Sequence, residues 1–142
     1  LSPTDADLRP FKQAGGRLIV YHGWADPGIS ALGTLDYVER MTRIVGGQAA
    51  ADEFTRTYFV PGMHHCSGGP GVDQFDMLSV LERWVEQGEA PRQVIASRVE
   101  KGVTVRSRPL CPHPAVAAYR GTGSIDEAAN FVCRVPAPTS GP

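Results

Sequence analysis

Apolar positions along the chain fall into two kinds of run. Arg17-Leu-Ile-Val-Tyr21 is short, continuous and rich in β-branched and aromatic residues, a pattern that predicts a strand buried on both faces. Phe54 to Val60 predicts a second strand, ended by Pro61-Gly62. Between them Leu32, Leu35, Val38, Met41 and Val45 recur at a 3–4 spacing, which predicts a helix capped by Ser30 and stopped at Gly46-Gly47. A second helical face, Leu78, Leu81, Trp84 and Val85, follows a possible cap at Asp73 and closes at Gly88. Two more β-type runs, Gln93–Ser97 and Val103–Arg106, flank the turn-like Glu100-Lys-Gly102 and predict an antiparallel hairpin. Residues 1–16 read as polar and loop-like. From Arg108 onward the chain is rich in Pro, Ala and Gly, with little regular patterning.

The predicted order is strand, helix, strand, helix, hairpin, tail, an α/β pattern. A strand-helix-strand unit of this length implies parallel strands joined by a right-handed crossover. Two parallel strands cannot bury both of their faces alone, so the pattern calls for further sheet. No internal repeat and no linker divides residues 1–142, which are expected to form one piece of a single domain.

Composition changes this picture little. The 142 residues are 42% hydrophobic and 20% charged, as in ordinary globular domains. The net charge of −1 argues against nucleic acid or an anionic membrane surface as partner. No apolar stretch approaches the ~20 residues of a membrane span. The first residue is Leu rather than Met, as expected of a processed or truncated chain. The three cysteines say more. Cys111 and Cys133 flank the weakly patterned tail and are expected to cross-link it, worth roughly 3 kcal/mol in the chain-entropy model. That pairing implies an oxidising compartment. Cys66 is left over, either a free thiol or one whose partner lies in polypeptide outside this chain.

Candidate chemistry sits where the two strands end. Leu18-Ile-Val-Tyr-His-Gly-Trp-Ala-Asp26 presents a carboxylate, and Tyr58-Phe-Val-Pro-Gly-Met-His-His-Cys66 presents two imidazoles, His64 and His65. An acid followed by a histidine, each just past a strand, is the order of the second and third members of a Ser-Asp-His triad in α/β-hydrolases. One helix and one strand separate Asp26 from His65, enough to bring adjacent strand tips together. Spacing alone leaves His64 and His65 as equal candidates. The bland readings are a turn aspartate before Pro27 and two surface histidines. His64, His65 and Cys66 are also metal-ligand types, but adjacent residues rarely face one ion and no second cluster lies at zinc-like spacing. Cys66 follows its would-be base and is not on a strand-to-helix elbow. Ser67 is separated from the strand by Pro61-Gly62 and from the next helix by Gly69-Pro70-Gly71. No serine therefore has the elbow setting of a nucleophile.

These residues resemble the C-terminal part of the tannase/feruloyl esterase family. The resemblance is carried by His22-Gly-Trp-Ala-Asp26, by Val60-Pro-Gly-Met-His-His-Cys-Ser-Gly-Gly-Pro70, and by Phe75-Asp with Trp84-Val-Glu-Gln-Gly88 and Ala90-Pro91. In the tail it continues through Arg108-Pro-Leu-Cys-Pro-His-Pro114, Tyr119-Arg-Gly-Thr-Gly123 and Ala129-Asn-Phe-Val-Cys133. It implies Asp26 as catalytic acid and His65, the histidine directly before the cysteine, as catalytic base. It implies that Cys66 pairs with a cysteine beside the nucleophilic serine, and that Cys111 and Cys133 form the C-terminal disulfide. The family's Cys-Ser segment and calcium-binding lid have no counterpart here, and no cofactor or metal is expected of these residues.

The expected function is that of a portion of a secreted or periplasmic serine carboxylesterase acting on small esters of aromatic acids, with Ile29 facing the substrate. It would work together with N-terminal polypeptide of the same protein. The rival expectation is an inactive domain that self-associates or binds a partner through an exposed sheet edge.

Overall fold

The structure, a computed structural model, describes residues 4–137. Its elements run α1 (Arg9–Gln13), β1 (Leu18–Gly23), α2 (Ala31–Ile44), α3 (Gln48–Asp52), β2 (Thr55–Val60), α4 (Met77–Gln87), β3 (Val94–Glu100), β4 (Val103–Leu110), β5 (Val116–Tyr119), a short 3-10 turn at Ala128–Asn130, and β6 (Phe131–Arg134). The class is mixed α/β with three two-stranded sheets. β1 and β2 are parallel, from Leu18 opposite Thr55 to Gly23 opposite Val60, so their C-terminal tips end side by side.

β2 is the hub. Tyr58 and Val60 are fully buried and pack with Met63, Val72, Met77, Val80, Val94, Ala96 and Leu110 into one cluster beneath α4 and the β3–β4 hairpin. Phe54, just before β2, anchors a second cluster with Ala6, Val38, Met41 and Ala51. Four of the six residues of β2 are buried, and Arg56 and Phe59 are half-buried. β1 is only half-buried and Tyr21 is exposed. It has one hydrogen-bonded neighbour among the described residues, so much of its surface is left uncovered.

Both long helices occur where periodicity places them, with corrected faces. In α2 the buried positions are Ala31, Val38 and Met41, with Ser30 Oγ accepting from Leu32 N–H, while Leu32 itself is exposed. In α4 they are Met77, Val80 and Trp84, while Leu78 and Val85 face outward. The cap of α4 is Asp76 rather than Asp73, accepting from Ser79 N–H at 3.0 Å. Asp73 cannot open the helix because residues 73 and 74 are extended. Their N–H groups both donate to Ser97 O, and Gln74 bridges β3.

Several elements escaped the pattern. α1 forms inside the supposed polar loop, with Pro10 in its first turn, where a missing N–H costs nothing. Phe11 tilts against Phe54, and Lys12 Nζ pairs with Glu53 at 2.9 Å. α3 is one turn of good helix formers, too short to show a period. The hairpin is longer than expected and turns on Lys101 and Gly102, both at positive φ, the mirror-type turn that matches strand twist. The tail holds an antiparallel β5–β6 pair, and Cys111 is disulfide-bonded to Cys133. His113 N–H donates to Thr57 O at 2.7 Å and fastens the tail to the outer edge of β2. Among the described residues no helix is long and apolar enough to cross a membrane.

Candidate active site

The parallel register puts the ends of β1 and β2 next to each other, and the loops beyond them are stitched together by backbone bonds. Trp24 N–H donates to Val60 O at 2.9 Å and Ala25 N–H to Met63 O at 3.0 Å. Gly23 makes this approach possible. A Cβ there would collide with the carbonyl oxygens of Met63 and His64. The glycine in His22-Gly-Trp-Ala-Asp26 thus sets how closely the acid loop approaches the histidine loop.

Asp26 is held from all sides. Its side chain is 2% exposed. Oδ1 accepts from Gly28 N–H at 2.8 Å and from Ile29 N–H at 3.0 Å. Oδ2 lies 2.8 Å from His65 Nδ1. The Ile29 N–H, then the His65 hydrogen bond, hold its carboxyl far below the usual carboxylate range, outweighing the opposing effect of desolvation. An ionised acceptor at Nδ1 fixes the proton there and leaves Nε2 as an acceptor. The His65 ring is 59% exposed, and Nε2 has no hydrogen-bond partner among the described residues.

The histidine loop is exposed but tied by its own hydrogen bonds. His64 N–H donates to Gly68 O, Ser67 N–H to His65 O, and Gly68 N–H to Asp73 Oδ2 at 2.7 Å. Asp73, expected to cap a helix, instead braces this loop. Cys66 is exposed, free, and in left-handed backbone conformation at φ 64°. It is His65, not His64, that hydrogen-bonds Asp26. Ile29 is 58% exposed beside the carboxylate whose Oδ1 its N–H serves. Among the described residues no group of three or more His, Cys, Asp or Glu is placed to hold a metal ion.

Sequence reasoning passed over His22. Its Nε2 lies 3.1 Å from Ile29 O and 3.3 Å from Asp26 Oδ2, and its Nδ1 lies 2.8 Å from Thr34 Oγ1. With the proton on Nε2, that N–H is shared by the Ile29 carbonyl and the carboxylate, and the Thr34 hydroxyl donates to Nδ1. His22 therefore ties the acid loop to α2. The signal is present in the sequence, a histidine four residues before the acid and just past the predicted strand, but by pattern alone it reads only as part of the loop that leads to Asp26.

Chemically, this is an imidazole oriented by a buried carboxylate, with a lone pair on Nε2 turned outward. Such a group can take a proton from a hydroxyl placed at Nε2 and later return it to a leaving oxygen.

Known proteins share this arrangement of chain. The family model described as tannase and feruloyl esterase matches residues 1–134. The chain is 50% identical over 136 residues to mono(2-hydroxyethyl) terephthalate hydrolase of Piscinibacter sakaiensis, covering 94% of this chain and 22% of that protein. It is 35% identical over 134 residues to a probable feruloyl esterase of Arthroderma benhamiae, covering 92% of this chain and 25% of that protein. The crystal structure of feruloyl esterase B from Aspergillus oryzae superposes with a TM-score of 0.84 at 26% identity, covering 92% of this chain and 29% of that one. The chain therefore spans between 22% and 29% of the length of these relatives.

Proposed function

Since the chain belongs to the tannase and feruloyl esterase family, we propose that it supplies the acid and base of a Ser-His-Asp triad in a carboxylic ester hydrolase of the α/β-hydrolase fold. The serine comes from polypeptide outside these 142 residues. The observation that carries this reading is the 2.8 Å contact between Asp26 Oδ2 and His65 Nδ1, on an exposed ring whose Nε2 has no partner among the described residues. In the complete reaction the serine hydroxyl gives its proton to His65 Nε2 as it attacks the ester carbonyl. His65 then protonates the departing alkoxide, and water repeats the exchange to release the acid. Asp26 stays ionised throughout and stabilises the imidazolium.

The substrates are esters of aromatic acids, as the names of the relatives imply for those proteins. Ile29, exposed beside Asp26, faces the acyl group. Cys66 pairs with a cysteine next to the serine, tethering base and nucleophile. The half-covered β1 adds to the support, since its free edge and exposed Tyr21 fit a strand from the same sheet. The Cys111–Cys133 disulfide fits a secreted or periplasmic setting. The same free edge favours a second reading, in which the chain alone is inactive and self-associates.

Hydrolysis of a chromogenic aryl ester tests the proposal. The 142-residue chain is expected to turn over no faster than its His65→Ala variant. A longer form of the protein that includes a Cys-Ser nucleophile segment is expected to show turnover abolished by His65→Ala. Clear His65-dependent turnover by the chain alone would remove the need for an outside serine. Inactivity of the longer form would remove the esterase reading.

A further inference from the structure

A cavity of about 320 Å³ lies between β2, β4 and the disulfide-bonded tail. Neither Asp26 nor His65 lines it. One wall is aromatic: Trp24 stacks on Phe59 with ring centroids 4.8 Å apart, and His113 meets Phe59 edge-on at 5.7 Å. Leu110 of β4 and Phe131 of β6 also line it. The volume is at the small end of the ~300–1,000 Å³ typical of ligand pockets.

The charges at this cavity do not balance. Arg106 and Arg108 line it, and no Asp or Glu does. Arg106 is spent on Asp126, with Nε donating to Oδ1 at 2.6 Å. Arg108 has no carboxylate of its own. Its guanidinium lies over the Phe131 ring at 4.3 Å, and Nη1 donates to Ser107 O at 2.8 Å. A guanidinium carries five N–H donors in a planar fork, so most of this one's hydrogen-bonding capacity is unused among the described residues. Burial, then the neighbouring Arg106, pushes its pKa down, outweighing the attraction of Asp126, whose carboxylate is hydrogen-bonded by Arg106. Burial also lowers the pKa of His113, so the wall opposite is neutral at pH 7.

We propose that this cavity binds a small aromatic carboxylate, with the carboxylate on the Arg108 guanidinium and the ring against Trp24 and Phe59. The chemistry on each side matches. An aromatic ring gains stacking and apolar burial from the wall, and a carboxylate can take two parallel N–H bonds from the fork. A neutral aromatic would leave the guanidinium uncompensated, and an aliphatic anion would forgo the rings. The inference stands on the cavity and not on the esterase reading. If that reading also holds, an acid released by hydrolysis is a ligand of this class, held apart from the Asp26–His65 pair.

Titration of the 142-residue chain with benzoate, followed by amide and indole NMR shifts, tests this. Saturable shifts are expected at the Trp24 indole and at residues 108–117, with His65 unmoved. Arg108→Gln is expected to weaken benzoate by about tenfold or more, and Arg108→Lys by less. Benzyl alcohol should bind the native chain about tenfold more weakly than benzoate, a comparison that decides the matter even if Arg108→Gln fails to fold. His65→Ala should leave benzoate affinity within about twofold. No saturation, equal binding of benzyl alcohol, or shifts centred on Asp26 and His65 would each overturn the proposal. Loss of esterase activity in a longer form of the protein, with benzoate binding intact, would sink the catalytic reading alone.

Discussion

Asp26 Oδ2 and His65 Nδ1 are 2.8 Å apart, with the carboxylate buried and the imidazole mostly in solvent. The carboxylate fixes the ring's tautomer, so Asp26→Asn should put the wrong nitrogen forward. In a complete, active form of the protein the expected loss in kcat is on the order of 10³–10⁴-fold, the scale seen when a triad acid becomes an amide. In the isolated chain, ring ¹⁵N shifts should show the Nδ1–H tautomer of His65 depleted. An unchanged tautomer in the variant would break the link between this contact and catalysis.

The pH dependence follows from the lowered pKa of Asp26. A carboxyl whose folded pKa lies below its unfolded value of about 3.9 contributes stability above that value. The contribution is lost as pH falls from there toward the folded pKa. Asp26 should therefore play no part in any change of melting temperature between neutrality and about pH 4. Below that, the native chain should lose more stability than Asp26→Asn. Parallel acid limbs in thermal melts would contradict the assignment.

His22 acts through Asp26. Removing its ring in His22→Ala cuts the tie from Ile29 O to Thr34 Oγ1 and frees the acid loop. Loss of such outer partners typically costs 10–100-fold at metal sites, and a fall of about tenfold in kcat with KM nearly unchanged is expected here. Thr34→Val removes only the hydroxyl and should destabilise by roughly 1 kcal/mol. A pure stability loss with full activity at low temperature would make His22 a packing residue only.

Gly23→Ala pushes a methyl group into the carbonyls of Met63 and His64. Overpacking of this kind costs roughly 1–3 kcal/mol, and here the strain falls between the loop of Asp26 and the loop of His65. Chemical denaturation should show that loss together with weakening of the Asp26–His65 hydrogen bond in NMR. A variant of native stability would mean that the loops part without cost.

Tyr58 offers a contrast. Its side chain is fully buried, its hydroxyl has no hydrogen-bond partner among the described residues, and burial raises its pKa to about 12. Tyr58→Phe should be neutral or stabilising by up to about 1 kcal/mol, since it removes a group buried without reward. The raised pKa means that this tyrosine's contribution is complete below about pH 10. It is lost as pH climbs toward about 12, so the variant should resist alkaline unfolding better.

The amphipathic signals that survived folding belong to the middle of the chain. β2 was legible because β-branched and aromatic residues fill Phe54 to Val60 and Pro61-Gly62 ends them, and its neighbours bury most of it. β1 carries the uninterrupted apolar run, yet it lies half-open, because a run records the cover a strand wants and not the cover it has. The cap of α4 was misplaced because Asp73 looks like a cap and only its backbone bond to Ser97 rules it out. Its face was misread because Leu78, Leu81 and Val85 make a second apolar stripe at helical spacing, beside the buried stripe of Met77, Val80 and Trp84. α1, α3 and the β5–β6 pair were too short, or too poor in large apolar residues, to show a period. Asp26 and the His64-His65 pair were visible as loop residues beyond strands. Which imidazole turns toward the carboxylate depends on the curl of the loop from Met63 to Gly69, and spacing does not encode that. His22 was hidden for a related reason, since its partner Thr34 is twelve residues away on a helix.

The bond from His113 N–H to Thr57 O shields the outer margin of β2, and the cystine at Cys111 keeps that shield in place. Reduction should therefore do more than loosen the tail. It would uncover a run of unsatisfied main-chain groups beside Phe59, a template onto which neighbouring molecules can stack. The earliest sign of a reducing environment would then be turbidity, ahead of any melting of the two buried clusters.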